Sequence, residues 1–133
     1  WDAGYARGFP DLPFQPAAAV LTRVISHPAW GLFTLDAGSK AIAADPAGSR
    51  GVIAGLEDAQ SVRQSEEHWV FRMPPGREAD RPAIGAVRYV IPTHICPTTA
   101  LYAEAAVASG GEVTAAWPVT ARDRCAPAQP AGR

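Results

Sequence analysis

Lysine is almost missing from these 133 residues: Lys40 stands alone against eleven arginines, so chemistry that needs a lysine amine has one candidate. Long apolar runs are missing too. None approaches the ~18 residues that a membrane-spanning helix requires, so no membrane partner is expected. Charge of one sign is lacking: 12 basic against 13 acidic residues leave a net −1. That balance gives no electrostatic footprint for nucleic acid or an anionic surface. Two cysteines, Cys96 and Cys125, are too few for a disulfide scaffold, although a bridge between them stays open at this level. Methionine occurs once, and the chain opens at Trp1 with neither a charged n-region nor an apolar h-region. No signal peptide is visible. The bare start reads as a domain of a longer chain, with a cytoplasmic location expected.

What is present defines a folded domain. The composition is 47% hydrophobic and 19% charged, which excludes disorder for most of the chain. A domain of this length buries roughly two-thirds of its unfolded surface. Thirteen prolines argue against a bundle of long helices.

Residues 1–16 carry Pro10, Pro13 and Pro16 and read as an extended lead-in. Ala17 to Ser26 reads as a strand with apolar residues on both faces, hence mostly buried. A turn at His27–Gly31 leads to a second strand, Leu32 to Leu35. Ser39 to Ala44 allows about one helical turn before Asp45-Pro46 stops it. Residues 45–60 read as loop around a short apolar Val52-Ile53. Glu67 to Met73 alternates as a strand with one apolar face. Pro74 to Pro82 is an exposed loop, and Ala86 to Ile91 is a further strand closed by Pro92. Leu101–Ser109 and Glu112–Val119 flank Gly110-Gly111, a hairpin signal because both glycines tolerate positive φ. Cys125 to Arg133 is a Pro/Ala/Gly-rich, frayed tail. Five or six short strands predict a mainly β barrel or sandwich.

The sharpest chemical signal is His94-Ile95-Cys96. On an extended backbone the two side chains leave one face, about 6–7 Å apart at Cα. An imidazole nitrogen and a thiolate at that separation suit zinc, and two protein ligands leave positions open for water or substrate. Ordinary packing is the commoner use of such a pair. Ser65-Glu66-Glu67-His68 offers carboxylates beside an imidazole, but a charged strand entrance fits better because Glu67 and His68 face opposite ways. Asp36, Gly38 and Lys40 cluster at a strand end, with ion pairing the default for Lys40. His27 is expected in solvent, and the four tryptophans in the core. No phosphate loop, dinucleotide fingerprint, C-x-x-C pair or nucleophile elbow is present.

Taken in order, Leu35-Asp36-Ala37-Gly38-Ser39-Lys40-Ala41, Ser65-Glu66-Glu67-His68, Ile91-Pro92-Thr93-His94-Ile95-Cys96-Pro97-Thr98, Leu101-Tyr102, Trp117-Pro118-Val119 and Ala121-Arg122-Asp123-Arg124 form a recognisable series. It resembles the C-terminal domain of the D-threonine aldolase and D-serine dehydratase family, pyridoxal-phosphate enzymes with an alanine-racemase-like fold. The resemblance implies a small β-barrel or sandwich-like C-terminal domain of a fold-type III enzyme over residues 17–124. Residues 1–16 would lead in from an N-terminal (β/α) barrel, and 125–133 would form the tail.

The resemblance also implies a function. The whole enzyme would be a lyase acting on D-3-hydroxy amino acids. It would either cleave D-threonine to glycine and an aldehyde or convert D-serine to pyruvate and ammonia. His94 and Cys96 match the family's metal pair. Aspartate often takes the second position in the aldolase branch, in an H-C-D pattern; H-I-C departs from it and leans toward zinc over manganese. The pyridoxal-phosphate lysine lies in the barrel, so Lys40 is not assigned that role, no catalytic residue is placed in this chain, and the chain alone is expected to be inactive. The implied partners are the barrel domain, a small D-amino acid and a second copy in a homodimer. The alternative is a free-standing β module with a binding or scaffolding role and a vestigial metal pair.

Overall fold

The computed structural model describes residues 1–122. The chain begins with a short helix, α1 (Ala3–Gly8), where an extended lead-in is predicted. Asp2 makes the helix: its backbone is extended and its side chain accepts the Tyr5 N–H at 2.8 Å, satisfying a donor that the first turn leaves open. A tertiary bond, Gly4 N–H to the Thr93 carbonyl at 3.1 Å, holds the helix down.

Six strands follow: β1 (Val20–Ser26), β2 (Leu32–Leu35), β3 (Gly51–Ile53), β4 (Gln60–Gln64), β5 (Trp69–Arg72) and β6 (Val87–Pro92). They form one sheet in the order β3-β6-β1-β2-β5-β4, every neighbouring pair antiparallel. The sheet curls into a half-barrel, and the mainly β expectation holds. A helix of five residues, α2 (Ile95–Thr99), follows β6. A separate hairpin, β7 (Glu104–Ser109) and β8 (Glu112–Pro118), turns at Gly110 and Gly111, with φ of 60° and 86°. Both values lie in the left-handed region that this tight turn needs.

The core lies on one face of the sheet. Val20, Thr22 and Val24 of β1 are buried, while Leu21, Arg23 and Ile25 between them face outward. The expectation of a strand buried on both sides is therefore corrected: Leu21 pairs with the exposed Tyr89 across β6 on the outer face. Thr22 is the polar member of the inner row, and its hydroxyl donates to Asp36. Phe33 and Phe71 lie opposite each other in register, rings stacked at 5.7 Å, with Trp69 against Phe71 at 4.6 Å. Leu35, Ile42, Ile53, Met73 and Val90 complete the cluster. Of the four tryptophans only Trp69 is core; Trp30 and Trp117 are exposed, and Arg81 lies over the Trp30 ring at 5.3 Å.

Two more local expectations change. Residues 45–60 carry β3 and the first residue of β4, so the segment is not loop throughout. The turn at 38–42 is single, as expected, closed by Ala41 and Ile42 N–H groups on the Gly38 carbonyl. The predicted tail, 125–133, and Cys125 with it, lies outside the described residues.

Candidate functional site

His94 sits where β6 hands over to α2. It is the N-cap residue of that helix, with φ −133° and ψ 104°, and its side chain makes no capping bond. The extended backbone assumed for His94-Ile95-Cys96 is thus kept at His94 and lost after it: Ile95 and Cys96 are the first two helical residues. Pro97 is tolerated there because the N–H it lacks is one the first turn would leave unpaired. The missing cap comes from far away. Asp2 accepts the Ile95 N–H on Oδ2 at 2.9 Å while holding α1 through Oδ1.

Free of capping, the His94 ring turns its Nδ1 to the carboxylate of Asp45, 2.5 Å from Oδ2. Thr98 braces this approach. Its buried hydroxyl donates to the His94 carbonyl at 2.8 Å and accepts the Ala43 N–H at 3.1 Å, tying the 41–45 segment to α2. His94 is half-buried, and the Cys96 thiol two residues on is exposed. A recess of about 220 Å³ opens beside the ring, lined by Asp2, Gly4, Tyr5, Phe9, Thr93 and His94. Its aromatic wall belongs to a group in which Trp1 packs against Tyr5, Phe9 and Phe14 with ring centroids 5.1–6.5 Å apart. A larger cleft of about 660 Å³ lies between β3 and β4 and does not include His94 or Cys96.

Asp2 is buried, and burial alone raises a carboxylate's pKa. The hydrogen bonds from Tyr5 and Ile95 outweigh that and, with His94 nearby, hold it below its ordinary value. Its contribution to stability is therefore complete above about pH 4, the ordinary aspartate range, and is lost as pH falls through the lowered value. Asp2→Ala is expected to cost about 2–3 kcal/mol, two charge-assisted backbone bonds and a cap. Asp2→Asn keeps one acceptor but turns an NH₂ toward a second N–H. Urea unfolding between pH 3 and 7 checks this: the wild type should weaken below about pH 4, and the Asn variant should lack that part of the slope.

The other sequence candidates fall elsewhere. Lys40 Nζ lies 3.1 Å from Glu66 and 2.9 Å from Glu67, and its hydrogen bonds to Glu67 and then Glu66 raise its pKa. It is the ion-pair partner expected. Ser65-Glu66-Glu67-His68 closes the β4–β5 turn, Ser65 N–H on the His68 carbonyl at 2.8 Å, with the two glutamates directed to Lys40. Asp36 accepts from the Thr22 hydroxyl and the Arg23 N–H, a structural post at the strand end. His27 is only half-exposed, its Nε2 2.8 Å from the Pro82 carbonyl oxygen. Tyr102 donates to the Ala41 carbonyl at 2.8 Å, and burial, with Asp36 nearby, pushes its phenol pKa up.

The donor set suits a metal in part. With Nδ1 engaged by a carboxylate, the imidazole keeps Nε2 for an ion, and the exposed thiol of Cys96, two residues on, is of the soft type that zinc favours. No group of three or more His, Cys, Asp or Glu side chains forms a metal cluster among the described residues. Among the described residues His94 and Cys96 are the two candidate donors. Lys40 does not suit pyridoxal phosphate: a lysine paired with two glutamates is a poor amine nucleophile.

Residues 17–108 match the family "Putative serine dehydratase domain". A D-threonine aldolase from Arthrobacter sp. is 35% identical over 114 residues, 84% of this chain and 28% of the aldolase. An uncharacterized protein of Mycobacterium tuberculosis is 32% identical over 117 residues, 86% of both chains. The crystal structure of D-threonine aldolase from Filomicrobium marinum superposes with a TM-score of 0.80 at 30% identity, covering 92% of this chain and 32% of that one. D-threo-3-hydroxyaspartate dehydratase from Delftia sp. HT23 shares the fold at a TM-score of 0.63 and 24% identity, over 75% and 31% of the two chains.

The chain belongs to the C-terminal domain family of D-threonine aldolase and D-serine dehydratase, lyases with an alanine-racemase-like fold. It spans about a third or less of the length of the aldolases it matches.

Proposed function

We propose that the chain is the metal-binding C-terminal domain of a pyridoxal-phosphate lyase acting on D-3-hydroxy amino acids. The observation that carries this reading is the His94 ring, anchored through Nδ1 on Asp45 with Nε2 left over, two residues from the exposed Cys96 thiol. Structures of a histidine-to-alanine and a cysteine-to-alanine variant of D-threo-3-hydroxyaspartate dehydratase, the latter in a metal-free form, replace residues two positions apart, the spacing of His94 and Cys96.

His94 and Cys96 would hold zinc, with manganese or another divalent ion less suited to a thiolate. When bound, the ion supplies Lewis acidity toward a substrate hydroxyl, and pyridoxal phosphate on a barrel lysine supplies the electron sink. The chain's own residues do the rest of the local work. Asp45 holds the proton on His94 Nδ1; Asp2 and Thr98 fix the helix that bears Cys96. Tyr5 and Phe9 form an aromatic wall beside His94 on one side of the recess. The overall outcome is D-threonine cleaved to glycine and an aldehyde, or D-serine converted to pyruvate and ammonia. The family resemblance extends the reading to a homodimer in the cytoplasm.

A second reading, a free-standing β module, draws support from the mycobacterial relatives matched over 86% of their own length. One experiment separates the two. The full-length polypeptide is purified, its zinc is counted, and it is assayed with D-threonine for glycine and with D-serine for pyruvate. His94→Ala and Cys96→Ala are expected to lose stoichiometric zinc and at least 10²-fold in turnover while keeping cofactor absorbance. A polypeptide with no cofactor absorbance and no product from either substrate would favour the module. Full turnover in metal-free buffer would refute the metal reading.

A further inference from the structure

We propose that Asp45 is the positioning residue of the metal site: it fixes the His94 imidazole as the Nδ1–H tautomer and aims Nε2 at the ion. The inference rests on the metal reading above and goes beyond it, since Asp45 matches no ligand position and its partner stands 49 residues away. Three features of the structure converge on it. The Asp45 carboxylate meets His94 Nδ1 directly, at 2.5 Å from Oδ2. The approach is built rather than incidental, because the buried Thr98 hydroxyl bonds both the Ala43 N–H and the His94 carbonyl. Pro46 next restricts Asp45 to an extended backbone, removing freedom that the contact would otherwise have to overcome. The ring has no other partner among the hydrogen bonds of the described residues: His94 caps no helix, although it occupies a cap position.

The chemistry follows from which nitrogen carries the proton. A neutral histidine free in water favours neither orientation strongly enough to present one nitrogen to an ion. A carboxylate on Nδ1 selects the proton-bearing side, stops ring rotation and makes Nε2 a stronger base toward the metal. Loss of such an outer partner typically weakens metal affinity 10–100-fold.

The test uses the full-length polypeptide in four forms: wild type, Asp45→Ala, Asp45→Asn and His94→Ala. Zinc affinity is measured by competition with a chromophoric chelator, and the His94 tautomer by nitrogen-15 imidazole resonances of the metal-free protein. Asp45→Ala is expected to bind zinc 10–100-fold more weakly than the wild type and to lose the pure Nδ1–H signature. Asp45→Asn, which still accepts a hydrogen bond without the charge, should fall between. Unfolding midpoints near the wild-type value show that the loss is not one of folding, as expected for an exposed side chain. Wild-type affinity in both Asp45 variants, with His94→Ala unable to bind, overturns this inference and leaves the metal reading intact. Equal affinity in wild type and His94→Ala overturns both.

Discussion

Trp69→Ala is expected to unfold the domain at temperatures where the wild type is folded. The indole is fully buried, packs tilted against Phe71 at 4.6 Å and donates its Nε1–H to the Ser61 hydroxyl at 2.8 Å. Removing it deletes the largest side chain of the core, strips Phe71 of one neighbour and leaves the Ser61 hydroxyl without a donor. Truncations of this kind cost about 3–5 kcal/mol, against a total stability on the order of 5–15 kcal/mol for a natural domain. For a protein of this size that is a drop in melting temperature of about 10 °C or more. Thermal unfolding followed by far-UV circular dichroism reads it directly. Trp69→Phe keeps most of the ring volume and loses chiefly the hydrogen bond, so a loss of about 1 kcal/mol is expected. Two variants equally destabilised would mean that the Ser61 bond, not the packing, holds β4 to β5.

Gly38→Ala is the second large effect, and its cause is backbone rather than core. A Cβ at position 38 would stand 2.1 Å from the Glu66 carbonyl carbon and oxygen and 2.3 Å from the Glu67 nitrogen. No flexible side chain can yield, because everything in the way is main chain. The two segments approach so closely in order to pair: Ser39 N–H bonds the Ser65 carbonyl at 2.9 Å and Lys40 N–H the Glu66 carbonyl at 3.0 Å. Adding one methyl therefore forces both bonds open and moves Lys40 away from Glu66 and Glu67. A cost on the order of 3 kcal/mol is expected, read as a lower urea midpoint with an unchanged slope. Gly8→Ala is the control, since nothing lies within 4 Å of a Cβ there. It should be neutral or slightly stabilising. Equal midpoints for the two variants would show that the 38–40 segment can separate from the 65–67 turn without cost.

These two sites also show how far the sequence can be read. Trp69 lies in β5, whose alternation marks a strand with one apolar face, and β2, β6 and the Gly110-Gly111 hairpin are legible too. β4 was not: Gln60–Gln64 is an edge strand nearly exposed on both faces, with a bulge between Ser61 and Arg63, so it carries no period of two. Helix α1 was hidden because six residues cannot announce a helix; the Asp2 side chain and the Gly4–Thr93 bond create it. At the candidate site, His94 and Cys96 were visible as a pair by type and spacing. Their geometry was not, because α2 is capped by a carboxylate 93 positions away. Asp45 read only as a helix stop before Pro46. No local pattern distinguishes an aspartate that ends a turn from one that meets an imidazole brought in by a later strand.

The two oxygens of Asp2 bear on more than stability. One binds the third residue of α1 and the other the first residue of α2, so a single rigid group joins two helices far apart in the sequence. Such a joint works as a hinge pin, not a spring: it lets neither helix tilt without carrying the other. Motion of the N-terminal helix would thus reach the start of α2 through one carboxylate and two hydrogen bonds, bypassing the sheet altogether.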